Sequence, residues 1–143
     1  MKWLIDTNVI SESTSSRPQA MVLAWIAGQP AEDLAISIVT MAELRDGAET
    51  APTNERRGSL LHWIERQVEP AFRNRILPVT IDILADWLAL ARRLAAARQP
   101  RSAPDLLIAA TARVHGLVVV TRNWRDFALT GVPVFNPWTG EKQ

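Results

Sequence analysis

The strongest constraint on this chain's fold is the form of its short apolar segments. Trp3-Leu4-Ile5, Leu34-Ala35-Ile36-Ser37-Ile38 and Leu117-Val118-Val119-Val120 are apolar at nearly every successive position instead of every second one. A strand with one wet face alternates apolar and polar residues, whereas a strand covered on both faces does not. Stretches with helical spacing separate these runs, so strands and helices alternate along the chain. That order predicts a parallel sheet, because parallel neighbours need a crossover and the usual crossover is a helix. Right-handed crossovers then bring the C-terminal ends of the parallel strands to one edge of the sheet, where such folds bind ligands. The expected architecture is α/β, a three-layer α/β/α domain around a central, mostly parallel sheet of four to five strands.

The helices read as follows. Pro18 opens one through Gln19–Ile26, which Gly28 and Pro30 close. Thr40 begins a second, ended by Pro52. A third runs from about Asn54 to Pro70, with Leu60, Leu61, Ile64 and Val68 on one face. Ile76-Leu77-Pro78-Val79 is a short strand whose proline places it at a sheet edge. In TIDILADWLALARRLAAARQ, the residues Ile83, Leu84, Trp87, Leu88, Ala91, Leu94 and Ala95 form one apolar stripe. Pro104 starts the helix PDLLIAATARVHG, which Gly116 stops, and Val134-Phe135 is a last short strand. With no internal repeat or linker, residues 1–143 are expected to form one domain with a flexible C-terminal tail.

Composition removes several function classes. The chain has no cysteine, which excludes a disulfide or thiolate metal site and fits a reducing compartment. It contains neither a secretory apolar stretch nor a bilayer-spanning run, so a cytoplasmic location and no membrane partner are expected. Net charge is +1, so no global basic field announces a nucleic acid. The cations are nearly all arginine, with lysine only at Lys2 and Lys142. Arginine's planar fork suits phosphate, and a plain arginine-rich surface accounts for the same count. His62 and His115 lie on helices and read as structural. Trp25, Trp63 and Trp87 read as core.

Four acids follow strands or start helices. Asp6 ends the first strand, Glu43 lies in the first turn of the helix after the second, Asp105 follows Pro104, and Asp126 lies in the loop TRNWRDF. Two readings compete. Locally, Thr40–Glu43 and Ser102–Asp105 fit the capping-box pattern, Asn123–Asp126 is a looser version, and first-turn acids gain from the helix dipole. Asp6 fits no box. Collectively, a parallel sheet gathers the four at one edge, where like charges raise one another's pKa and a divalent cation reverses that penalty. All-oxygen ligands favour Mg2+ or Mn2+. Such a centre activates water and offsets phosphodiester charge without a histidine base. A lysine-dependent phosphoryl-transfer site is poorly served, since neither lysine is well placed and both GxGxxG and GxxxxGK[ST] are absent.

The blocks LIDTNVISE, ISIVTMAELRDG, PDLLIAATARVHGLVVVTRNWRDF and VFNPW, spread from Lys2 to Trp138, resemble PIN-domain proteins. The likeness is to the VapC-type ribonuclease toxins, near their FitB-like branch. It implies a PIN fold and an Mg2+- or Mn2+-dependent endoribonuclease acting on RNA. It also implies a homodimer held inactive by a VapB-type antitoxin, in a heterotetramer or larger assembly. The family's acidic motif falls on Asp6, Glu43 and Asp105, with Asn8 and Thr121 at polar pocket positions. Relatives often carry aspartate where this chain has Asn123, and Asp126 is the only acid of that loop.

The mechanism this suggests assigns metal ligation to Asp6 and Asp105, and gives Glu43 the attacking water. Asp126 completes the outer shell with Asn123, while Asn8 and Thr121 orient ligands. Arg122, Arg125 and Arg45 are candidates for phosphate contact, and Trp124 for base stacking. The apolar faces of the first and third helical stretches are candidate surfaces for a second copy or an antitoxin. Asn123 keeps open the alternative of a catalytically silent PIN fold that binds RNA or a partner.

Overall fold

The computed structural model describes residues 1–143. β1 (Trp3–Ile5) runs into a short helix, α1 (Thr7–Ser11), and then a 3-10 turn. α2 (Ala20–Ala27) leads to β2 (Leu34–Ser37), and α3 (Ile38–Glu49) follows without a loop. α4 (Asn54–Trp63) continues through a π-helical turn, Ile64–Val68, into α5 (Glu69–Ala71). Next come β3 (Ile76–Leu77), α6 (Ile81–Ala96), α7 (Ala103–His115) and β4 (Val118–Val120). A 3-10 turn, Trp124–Phe127, precedes β5 (Val134–Asn136) and β6 (Glu141–Lys142).

The sheet has the order β3-β2-β1-β4-β5-β6, with β1 to β5 parallel and β6 antiparallel to β5. It is one strand larger than expected. β6 comes from exposed, polar Glu141 and Lys142, so no apolar pattern marks it. The proline-terminated β3 lies at the opposite edge, as expected.

Successive residues of β1 enter opposite layers. Trp3 and Ile5 pack with Val9, Val22, Leu44 and Ile64 from the helices α1 to α3 and the π turn. Leu4 packs with Ile83, Leu90, Ile108 and Ala109 from α6 and α7. Two covered faces therefore explain the unbroken apolar run.

Local details differ from the pattern in the sequence. α3 begins at Ile38 instead of Thr40, because Ser37 takes the cap: its Oγ accepts the Val39 N–H at 3.0 Å. Thr40 points inward, fully buried, and its hydroxyl has no hydrogen-bond partner, so no box joins it to Glu43. Along α6, Ile83, Leu90 and Leu94 are buried, but Leu84, Leu88 and Ala95 of the expected stripe are exposed, as is Ile81. The helix rests on the sheet and α7, and that contact covers a narrower face than the stripe.

The strand order matters for function. From β1 the chain builds β2 and β3 on one side, then crosses to β4 on the other. The C-terminal ends of β1 and β4 therefore flank a topological switch point, the place where open α/β sheets bind ligands.

Candidate active site

Asp6 follows β1 at that switch point and is 6% exposed. It starts a helix and also belongs to the acidic cluster. Its Oδ1 accepts the Thr7 N–H at 2.8 Å, capping α1. Its Oδ2 accepts the Thr121 hydroxyl at 2.8 Å and the Asn8 side-chain amide at 3.0 Å. Burial nevertheless dominates and pushes the Asp6 carboxyl up to about 6; Thr121 and Thr7 oppose the rise, and the charges of Asp105 and Glu43 add to it.

Glu43 projects from the second turn of α3, not the first, since the helix begins earlier than its pattern suggests. Its Oε1 accepts the Thr7 hydroxyl at 2.7 Å. Asp105 lies in the first turn of α7, where Ser102 is the cap. The Ser102 Oγ accepts the Asp105 N–H at 3.3 Å and donates to Asp105 Oδ2 at 2.8 Å. Burial raises the Asp105 carboxyl; the bond from Ser102 opposes this, Asp126 adds to it, and Arg101 opposes it. Asp105 thus serves the local cap and the acidic cluster at once. Ser102→Ala is expected to cost about 0.5–2 kcal/mol through the lost cap. Urea unfolding reads this directly, and an unchanged midpoint would count against the cap.

Asp126 lies in the 3-10 turn, its N–H donating to the Asn123 carbonyl at 3.0 Å. Its charge acts on Asp105, so the acids run in sequence as Glu43, Asp6, Asp105, Asp126. The Asn123 side chain is exposed and makes no cap bond, while its N–H donates to Thr121 Oγ1 at 3.1 Å. Asn8 ties the loop to Asp6: its amide donates to Asp6 and Thr121, and its Oδ1 accepts the Arg122 N–H at 3.1 Å. Arginines fix the remainder of the loop by its carbonyls. Arg101 donates to Arg125 O at 3.2 Å, Arg93 to Leu129 O at 2.8 Å and Arg113 to Thr130 O at 2.8 Å.

Arg45 is placed elsewhere. It pairs with Glu69 at 3.6 Å in a groove between α3 and α5 that contains none of the four acids. Three residues of the site went unremarked in the sequence: Thr7, Ser102 as the group holding the Asp105 carboxylate, and Arg101. Thr7 had a signal, a hydroxyl directly after an acid at a strand end. Arg101 had none, because its target carbonyl lies 24 residues away.

No group of three acids or histidines is close enough to chelate one ion directly. The residues nevertheless fit a hard dication. The donors are all oxygen, and a carboxylate raised chiefly by burial, and further by two other acids, gains from added positive charge. Mg2+ in particular needs only one or two direct carboxylates, with water completing its shell.

Acidic side chains at the switch point of a three-layer α/β/α domain define the class of fold and site. The PIN domain profile matches residues 3–132, and the chain belongs to the PIN-domain family. It is 38% identical over 135 residues to the VapC ribonuclease Y4jK of Sinorhizobium fredii, spanning 94% of this chain and 96% of that protein. The crystal structure of FitAcB from Neisseria gonorrhoeae superposes with a TM-score of 0.89 at 36% identity, covering 95% of this chain and 98% of that one. A structure of FitAB bound to an IR36 DNA fragment gives 0.88 at 34% identity, covering 95% of each chain.

Proposed function

We propose that this chain is the ribonuclease toxin of a VapBC-type toxin–antitoxin pair, hydrolysing RNA phosphodiester bonds with Mg2+ or Mn2+. The observation that carries this reading is Asp6: a carboxyl raised above all by its burial, with Asp105 and Glu43 adding to the rise, at the switch point of a chain whose relatives are named as toxins and a ribonuclease. A divalent cation, when bound, would supply charge against the phosphodiester and polarise water. Asp6 and Asp105 would hold it. Thr121 and Asn8 fix the Asp6 carboxylate through Oδ2, so the ligand is oriented before substrate arrives. Thr7 engages Oε1 of Glu43, leaving Oε2 to accept the proton of the attacking water. Asp126 completes the acidic edge beside Asp105.

The test uses purified protein and single-stranded RNA. Cleavage is expected with Mg2+ and with Mn2+, lost in EDTA and restored by excess metal. Asn123 and the absence of three directly convergent ligands favour one other reading, a silent PIN fold that only binds RNA or a partner. RNA bound but left intact in both metals would establish that reading instead.

The partners follow from the same assignment. Between α2 and the π turn lies an apolar groove of about 240 Å3, lined by Leu23, Ile26, Trp63, Val68 and Phe72 among others. These are the first and third helical stretches of the sequence, and the groove suits the apolar face of an antitoxin helix. An antitoxin arginine entering the acidic cluster would replace the cation's charge and block the site. Exposed Ile81, Leu84 and Leu88, on one face of α6, suit a second copy of this chain. No helix is long and apolar enough to cross a membrane, in keeping with the cytoplasmic location proposed here.

A further inference from the structure

We propose that the cleft walled by Arg122, Asn123, Trp124, Arg125 and Asp126 seats the RNA nucleotide next to the cleaved bond, its phosphate on Arg122 and its base on Trp124. The proposal rests on the nuclease reading and locates where that enzyme grips its substrate.

The cleft has a volume of about 360 Å3, inside the range of roughly 300–1,000 Å3 usual for small-molecule sites. It is joined to the acidic cluster by single side chains. Arg122 N–H donates to Asn8, and Asn123 N–H donates to Thr121; both Asn8 and Thr121 donate to Asp6. A strand whose phosphate lies at Asp6 therefore has its neighbouring nucleotide within this cleft.

The walls have the chemistry of single-strand binding, cations for the backbone and an aromatic face for the base. The Arg122 guanidinium lies over the Trp138 ring at 5.3 Å, and that of Arg125 over Trp124 at 5.8 Å. Each indole thus stacks with a planar cation, and a base reaches the Trp124 face by displacing the exposed Arg125 side chain that covers it. The molecule's ion pairs join Arg45 to Glu69 and Arg113 to Asp86, so neither cleft arginine is spent on a carboxylate. Neither guanidinium donates a side-chain hydrogen bond elsewhere, which leaves both forks for phosphate oxygens. Trp124 packs its inner side on the core, and Arg101 holds the Arg125 carbonyl. A platform ordered in advance loses little freedom on binding.

The rim also reads the base. Asp126 offers only acceptor oxygens and Asn123 offers both donor and acceptor atoms. Uracil answers an acceptor only with its N3–H, whereas adenine, cytosine and guanine each present an exocyclic amino group, so uracil is the least favoured base there.

The test uses the full-length protein and short single-stranded RNAs that share one cleavage site and differ in the flanking base. Wild-type cleavage in Mg2+ establishes the enzyme, and its failure removes the nuclease reading alone. The cleft is then judged separately by binding of fluorescein-labelled RNA in EDTA. Arg122 is exposed, so R122A is expected to keep the wild-type Tm. It should raise KM and Kd with kcat within about twofold, and lower the slope of log Kd against log salt by about 0.7, the value of one single-strand phosphate contact. W124L should weaken binding roughly five- to a hundredfold, the range of one lost base stack, with W124F restoring most of it. Wild-type Kd and KM should be poorest for a uracil flank. R122A binding RNA with wild-type affinity and salt slope, together with indifference to the flanking base, would overturn the proposal. W124L behaving as wild type would do the same, and a poorly folded W124L leaves R122A and the base series to decide.

Discussion

Replacing Asp6 or Asp105 with asparagine is expected to lower RNA cleavage by at least about a hundredfold, the scale of removing one preorganised electrostatic group from a reaction centre. Both proteins should still unfold cooperatively. Asparagine keeps the shape of each side chain, removes its charge and turns one acceptor oxygen into a donor. It also caps helices about as well as aspartate does. If Asp6 served only the fold, the variant would retain the Thr7 cap bond, lose stability where its amide meets the Thr121 and Asn8 donors, and keep its rate. If Asp105 served only the first turn of α7, the Ser102 contact would survive in amide form. The two roles therefore separate cleanly in kcat, measured beside a urea unfolding curve. Either variant keeping half of the wild-type rate would remove that acid from the reaction.

The sheet was legible in the sequence where burial on both faces left no polar residue, as in β1 and β4. The edge was not, because β6 is held by backbone pairing to β5 and its Glu141 and Lys142 carry no apolar signal. Helix starts were legible only to within a turn. Ser37 and Thr40 both offer a hydroxyl, but only Ser37 has the extended backbone that a cap needs. The expected stripe of α6 was too wide, since spacing reports which residues share a side and not how much of it another layer covers.

The acids themselves were legible, but their local and collective explanations were not separable. Asp105 shows why: the Ser102 box forms, and the same carboxyl is raised through burial and Asp126. A match to a capping pattern therefore says nothing against a second role. Thr7 and Glu43 lie 36 residues apart in the chain, so only the folded backbone could bring that hydroxyl to that carboxylate.

Asp6 also carries a large and signed effect on stability. Its carboxyl moves from an ordinary 3.8 to about 6 in the folded protein, roughly two pKa units, or about 3 kcal/mol at 1.36 kcal/mol per unit. Between those values the folded state keeps the Asp6 proton and the unfolded chain has lost it. Stability consequently falls as pH rises through this window; the penalty is absent below about pH 3.8 and complete above about pH 6. Asp6→Asn cannot titrate, while the other acids do so in both proteins and largely cancel. In EDTA, the stability of wild type minus that of Asp6→Asn should thus fall by about 3 kcal/mol from pH 3.5 to pH 7.5, read from paired denaturant curves. A cation favours the ionised carboxylate, so Mg2+ at pH 7.5 should return part of that difference to the wild type alone. A difference that stays flat with pH would mean that water reaches the carboxyl freely. A difference that rises would mean that the three donors outweigh burial, leaving no unpaid charge for a cation to settle.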